Sequence, residues 1–407
     1  MKKLTLLEKI FLSLLILQAL VNLIAVFGPE LGFDALWYHL TEAKLFLQRR
    51  SIAPIPGNLL YWSGLPRLGE IFYSVGLSLN LEFLPKLIHW GFGVFSAFLV
   101  FRLGGLGSAL LFYTTLLVGW LSTTAYIDLI MTAWLLLAVY WSGIKRGLAI
   151  ALAAATKLHA LIYGLIITLI PWGILGILPF ALINYFSTHN PIYPFRENFG
   201  FEPEWFLNGF GFWLSRPLRL FFDPAFRVGP LILLVFLLKP KFNRLLVLSF
   251  LVWFLFPGTD FGRFALFPLA LLAIACSQSR SRLAYVLIII QAIVGISGRL
   301  VANSKYLPLL FHQQTKAEFM AKNLKFHFGD FYDLDNYFKQ NIKPTDKVLI
   351  YNIHNLYYVN FPYDHETWKN PHTRYTHILV GNNGPDFNLP LIYQNPTTRV
   401  KLYLNEP

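Results

Sequence analysis

Residues 10–50 read IFLSLLILQALVNLIAVFGPELGFDALWYHLTEAKLFLQRR, and two physical regimes meet inside that stretch. Residues 10–27 form a charge-free apolar run preceded by Lys2, Lys3 and Lys9, and about 20 apolar residues suffice to cross a bilayer core. A secretory signal would look similar, but FGPE at 27–30 is a poor cleavage site. The run therefore reads as a retained first helix with its N-terminus in the cytoplasm. Residues 33–50 behave differently. Read as a helix, they place Asp34, Tyr38 and Glu42 on one face at i, i+4 and i+8, while Leu36, Leu40, Phe46 and Leu47 supply apolar surface. That pattern predicts an interfacial helix lying along the membrane.

The whole chain agrees with this opening. Of its 407 residues, 56% are hydrophobic, 17% aromatic and only 14% charged, against about 25% charged in soluble domains. Its mean hydropathy is +0.52. Such a chain cannot cover its surface with polar groups, so the bilayer must solvate much of it. A single cysteine, Cys276, excludes an intrachain disulfide framework and a thiolate metal cluster. The net charge of +13 is unevenly spread: residues 1–302 carry +11 and residues 303–407 carry +2. The excess thus lies where topology is decided and is not read as a nucleic-acid footprint. We divide the chain into a polytopic membrane domain, 1–302, and a soluble domain, 303–407.

Further apolar runs fall at about 84–101, 106–122, 126–143, 147–157, 158–172, 174–187, 228–238, 243–257, 262–276 and 283–302. Eleven spans follow, with the soluble domain outside the cytoplasm. Arg102, Lys145 with Arg146, Lys239 with Lys241 and Arg244, and Arg280 with Arg282 then fall on the cytoplasmic side, as the positive-inside rule requires. Lys157 and His159 interrupt the pair 147–157 and 158–172; counted as one span, every later assignment inverts.

Acidic residues are scarce in the membrane domain, and this topology gathers them on the external side: Asp34, Glu42 and Glu70 in the first loop, Asp128 at the second external turn, Glu197, Glu202 and Glu204 in the third, and Asp260 in the fourth. Charges near spans usually face a cavity or a partner, so the pattern points to a site at the outer membrane face. Each residue also has a plainer reading. Asp34 can cap its helix, Lys157 can snorkel, and Arg263 can pair with Asp260 one turn away. No i, i+4 pair of metal ligands stands out.

Five segments in order resemble one family. The first span followed by FDALWYHL (33–40), AYIDLIMTAW (125–134), GLAIALAAATKLHAL (147–161), THNPIYPF (188–195) and FGRFALFPLALLAI (261–274) resemble bacterial GT-C glycosyltransferases. These are multi-pass enzymes that use polyprenyl-phosphate sugars and include the protein mannosyltransferase and aminoarabinose transferase families. His189 stands where that family usually has Gly. The resemblance implies a GT-C-like helical membrane domain and an inverting transfer of a hexosyl or pentosyl group to a glycan, lipid or protein acceptor. It makes Asp34 the base that takes the acceptor's proton. The departing phosphate needs fixed cations, and Lys157, Arg216 and Arg263 are the candidates; Tyr38, His39, Glu42, Asp128 and Tyr193 are candidate substrate contacts. No cofactor is implied beyond an optional divalent metal. The rival readings are a transporter or flippase, and a polymerase or ligase of surface polysaccharide.

In the tail, residues 316–328 and 333–342 read as helices, and KVLIYNI (347–353), HILVG (377–381) and TRVKLYL (398–404) as strands. This order predicts a small α/β domain with a partly parallel sheet and an accessory role.

Overall fold

The computed structural model describes residues 4–195, 197, 211, 214–223, 228, 237, 240–255, 262–277 and 282–405. Helix α1 (Leu6–Val26) begins with a reciprocal cap: the Thr5 side chain accepts from the Glu8 N–H, and the Glu8 carboxylate accepts from the Thr5 N–H. A π turn (Ala35–His39) then runs into α2 (Leu40–Arg49), and α3 (Leu68–Ser78) closes the first loop. The helices that follow are α4 (Leu84–Gly104), α5 (Leu106–Tyr113), α6 (Leu116–Leu121), α7 (Asp128–Tyr140), α8 (Gly143–Thr156), α9 (Ala160–Thr168) and α10 (Gly173–Thr188). After them come α11 (Arg216–Phe222), α12 (Arg244–Leu255), α13 (Leu266–Ser277) and α14 (Arg282–Ser304). The fold is mostly helical, with one small sheet.

Among the described residues, three helices are long and apolar enough to cross a membrane: α1, α4 and α14. Several of the remaining apolar helices are shorter than the runs read from sequence, for local reasons, whereas α8 and α10 slightly exceed theirs. The run at 106–122 splits where Thr114 and Thr115 turn their hydroxyls onto the carbonyls of Leu110 and Phe112. Lys157 separates α8 from α9 with an extended backbone, φ −154° and ψ 127°. The run at 228–238 lies outside the described residues apart from its isolated members 228 and 237.

Helix α7 sits between α4 and α8, and α8 packs on α10. Small residues permit that last approach: a Cβ on Gly176 would lie 1.9 Å from the Ala151 carbonyl oxygen.

The C-terminal part holds a five-stranded sheet in the order β2-β1-β3-β5-β4. The strands are β1 (Val348–Tyr351), β2 (Tyr363–His365), β3 (His377–Val380), β4 (Leu391–Gln394) and β5 (Lys401–Leu404). β1 is parallel to β2 and β3, whereas β5 is antiparallel to β3 and β4. The three apolar strands read from sequence form the centre. The short outer strands β2 and β4 escaped that reading because Tyr-Asp-His and a mostly exposed Leu-Ile-Tyr-Gln carry no apolar alternation.

The sheet's apolar layer is not closed by the tail alone. Leu45, Ile55, Leu59 and Leu60 of the first loop belong to the same buried cluster as Val348, Ile350, Leu379 and Leu402. The Lys44 ammonium secures this joint, donating to the carbonyls of Tyr357 (2.9 Å) and Val359 (2.6 Å) and to Asn360 Oδ1 (2.8 Å). Lys44→Met leaves those acceptors unsatisfied and should cost about 2 kcal/mol at the joint. Hydrogen exchange checks this: amides near 356–360 should exchange faster, and an unchanged rate would show that apolar contact alone holds the joint.

Candidate functional site

Segment 28–34 reaches its place through buried polar groups. The Lys86 ammonium on α4 donates to the carbonyls of Ala25 (2.5 Å), Gly28 (2.8 Å) and Pro29 (3.1 Å), gathering the C-terminal end of α1. The Glu30 carboxylate accepts from the N–H groups of Leu31 (2.8 Å), Gly32 (2.6 Å) and Ala125 (2.6 Å). One side chain thereby joins the first loop to the turn before α7. The Tyr358 hydroxyl donates to the Glu30 carbonyl (2.9 Å), attaching the C-terminal part to the same point.

Asp34 opens the π turn, yet its side chain makes no capping bond. Its Oδ2 accepts from the Tyr38 hydroxyl at 2.9 Å and pairs with Arg263 Nη2 at 2.6 Å. Its backbone N–H donates to the Tyr126 hydroxyl at 3.3 Å. Burial opposes ionisation of Asp34, but Arg263 first, then His39 and the Tyr38 hydroxyl, hold its carboxyl below the usual carboxylate range. The Arg263 guanidinium lies over the rings of Tyr126 (5.1 Å) and Phe264 (5.2 Å). Arg263 thus pairs with Asp34 from the first loop; Asp260, its neighbour in sequence, lies outside the described residues.

A second ion pair also lies against Phe264. Asp128, the first residue of α7, is fully buried, and its Oδ1 lies 2.6 Å from Lys157 Nζ. Its Oδ2 is buried with no hydrogen-bond partner among the described residues. The Lys157 ammonium sits 4.3 Å from the Phe264 ring centre, so both cations lie against one ring. His89 sets the start of α7: its Nδ1–H faces the carbonyls of Leu121 and Thr124 at 2.8 and 2.7 Å, and Nε2 accepts from the Leu129 N–H at 3.0 Å. Carbonyls only accept, so this pattern fixes the tautomer.

Other sequence candidates separate from this group. Glu42 is engaged with a different set of charges from Asp34. It is buried near Glu70 and Arg67, and burial followed by Glu70 pushes its carboxyl well above the usual range, with Arg67 opposing. His39 Nδ1 lies 2.5 Å from Glu70 Oε1, directly behind Tyr38, whose ring is 4.2 Å away. Arg216 is engaged elsewhere: its Nη1 donates to the Phe254 carbonyl (3.2 Å) and it lies over Trp253. Tyr193 packs on Gly64, where a Cβ would meet its ring at 2.2 Å. Glu202 and Glu204 lie outside the described residues. Among the described residues, no three His, Cys, Asp or Glu side chains are gathered as a metal ion would need.

Asp34, Tyr126 and Arg263 form part of the wall of a cavity of about 670 Å³. The end of α14 and residues from 323–330 also line it, so it lies at the junction of the membrane helices and the C-terminal part. The cations there, Arg299, Lys305 and Lys325, carry no sequence signal, since only the folded chain brings them near Asp34. Tyr126 and Phe264 had a signal in the quoted segments 125–134 and 261–274, as aromatics flanking charged residues.

No protein-family profile matches the chain, and no curated protein matches it either. Two solved structures do: ArnT from Cupriavidus metallidurans bound to undecaprenyl phosphate, at a TM-score of 0.60, and the same protein in the apo state, at 0.57. Each is 12% identical, and each alignment covers 97% of this chain and 97% of ArnT. The chain has the ArnT fold. That likeness fits the GT-C resemblance of the five segments, and it includes the C-terminal part as well as the helices.

Removing one member of a buried ion pair costs about 3–5 kcal/mol because the other charge is stranded. Lys157→Met should therefore lower the unfolding temperature strongly, while Asp128→Leu/Lys157→Met should recover most of the loss. A double variant no better than the single would show that packing, and not the stranded carboxylate, sets the penalty.

Proposed function

We propose that the protein is an inverting GT-C-type glycosyltransferase moving a sugar from a polyprenyl-phosphate donor to an acceptor hydroxyl at the outer face of the cytoplasmic membrane. In this reading the N-terminus is cytoplasmic, residues 1–302 form about eleven spans, several of them broken, and residues 303–407 form the extracytoplasmic domain. The observation that carries it is the Asp34–Arg263 pair on the wall of the junction cavity, within the ArnT fold.

The chemistry follows from the geometry. Tyr38 and Arg263 occupy Asp34 Oδ2, and Oδ1 remains to receive a proton. The acceptor hydroxyl attacks the anomeric carbon as Asp34 takes its proton. The new carbon–oxygen bond forms while the bond to the phosphate oxygen breaks on the opposite face, inverting the centre. The polyprenyl phosphate leaves as an anion, with Arg263 and Lys157 as the nearest fixed cations of the group. Tyr38 orients the base, and His39 with Glu70 braces Tyr38 from behind. Glu42, Tyr193 and Arg216 act at most through structure, given where they are engaged.

Asp34→Asn should reduce transfer about 10³-fold, read with a panel of polyprenyl-phosphate sugars, while expression and thermal unfolding stay as in the wild type. Full activity would remove the mechanism. The pH dependence has a defined sign. Arg263 lowers the Asp34 pKa, so activity is present above that pKa and lost as the pH falls through it. In Arg263→Gln only His39 and the Tyr38 hydroxyl still oppose burial, and the acidic limb should move to higher pH. An unmoved limb in a variant with residual activity would show that Asp34 is not the titrating group.

A further inference from the structure

The C-terminal sheet carries a feature that the transfer reaction does not use. Strands β1 and β3 are parallel neighbours, whereas β2, which comes between them in sequence, lies on the outer side of β1. In open sheets of this order the connections leave two such strands toward opposite faces, and ligands bind at the carboxyl ends where they part. The chain does this here. Leu379 lies in the cluster shared with the first loop and its neighbours Ile378 and Val380 in a second cluster, so the two clusters mark the two faces. After β1 the chain turns to the first face, burying Ile353 and Leu356 there, and the N–H groups of His354 and Asn355 donate to the Gly329 carbonyl at 3.1 and 3.0 Å. After β3 it turns to the second, where Phe387 and Leu389 pack. Two bonds close the base of the parting: the Gly381 N–H donates to the Tyr351 carbonyl (2.9 Å), and Asn352 Nδ2 to the Asn382 carbonyl (2.7 Å).

The segments at this edge read NIHN (352–355) and GNNGPD (381–386), and Glu366 joins them from the end of β2. Backbone geometry explains part of this composition. Asn352 and Asn383 are left-handed, with φ 53° and 62°, a conformation Asn adopts at low cost. It does not explain Asn382 or His354. His354 is exposed and Asn382 half-exposed, and neither side chain has a hydrogen-bond partner among the described residues. Glu366 Oε1 accepts from the Asn352 N–H at 2.9 Å, which sets a carboxylate at the same edge. The half-buried Tyr351 ring, 5.0 Å from that of Phe387, adds apolar surface beside it.

We infer that the carboxyl edge of β1 and β3 binds a neutral carbohydrate, a sugar unit of the acceptor. An amide side chain donates and accepts at once, as each sugar hydroxyl does, and three Asn residues meet here with a carboxylate that accepts from further hydroxyls. The same groups argue against an anionic ligand. Glu366 repels one, and Lys401 is already paired with Asp386. The chain also runs from β3 to β4 without a helix, so 381–386 leads to no helix N-terminus that could take a phosphate. None of these residues lines the cavity beside Asp34, so a sugar held here is gripped apart from the reacting centre. The carbohydrate site stands on the sheet's geometry; its assignment to the acceptor rests on the glycosyltransferase reading.

The test uses the full-length protein in phospholipid nanodiscs, free of sugar-based detergent, and saturation-transfer NMR. The probes are the methyl glycosides of glucose, galactose, mannose and N-acetylglucosamine, with adenosine monophosphate as the anionic competitor. At least one glycoside should bind, and Asn382→Ala/His354→Ala should weaken it by at least about tenfold. Neither side chain is buried, so the variant should fold; a thermal scan confirms it. No glycoside bound by the wild type, binding in the variant within twofold of wild type, or displacement of the glycoside by adenosine monophosphate overturns the site. In the transfer assay the same variant should raise the acceptor KM and leave kcat as it is. An unmoved KM overturns the acceptor assignment and leaves the carbohydrate site standing. Full activity in Asp34→Asn would remove the glycosyltransferase reading without touching the glycoside titration, so the two failures are distinguishable.

Discussion

The Asp34–Arg263 ion pair constrains most of what surrounds it. The two residues come from opposite ends of the membrane part, one just after α1 and the other from the short 3₁₀ turn (Gly262–Ala265) before α13. Both side chains are largely removed from water, and a buried charge without its partner is costly. The first loop therefore has to begin at one point against the turn before one late helix. Lys86 gathers the carbonyls of the α1 end, Glu30 ties the next residues to the turn before α7, and the π turn places Tyr38 back on Asp34. Each is a polar group satisfied inside the protein, as a low-dielectric setting demands.

The first loop has a second role that the site depends on. Its helix α2 and the stretch around 55–60 share a buried apolar cluster with the C-terminal sheet. The loop that carries Asp34 is thus held between the membrane helices and the sheet, and the cavity opens at that junction. Positioning the carboxylate and shaping the space in front of it are one structural event.

The sequence showed the helical class, the interfacial segment, the centre of the sheet and the segments that hold Asp34, Asp128, Lys157 and Arg263. These are legible because apolar length and isolated charges carry strong local signals. The rest depends on distance in space. The π turn is a one-residue change in hydrogen bonding that no apolar pattern marks, and the partners of Glu42, Glu70 and Arg67, come from beyond its own helix. Arg216 looks equivalent to Arg263 by predicted depth, yet packing sets it on Trp253. The other cations lining the cavity come from a helix end and from the tail, and in sequence they are ordinary lysines and an arginine. At 12% identity the fold of ArnT is retained, so its layout rests on the pattern of apolar runs and small-residue contacts more than on particular side chains.

The most direct measurement is a structure of the protein with a non-transferable polyprenyl-phosphate sugar and an acceptor analogue bound. The account predicts the acceptor hydroxyl about 3 Å from Asp34, within hydrogen-bond reach, with the donor phosphate beside Arg263 and Lys157. A sugar bound with its anomeric carbon remote from Asp34, or a phosphate seated away from both cations, would contradict it.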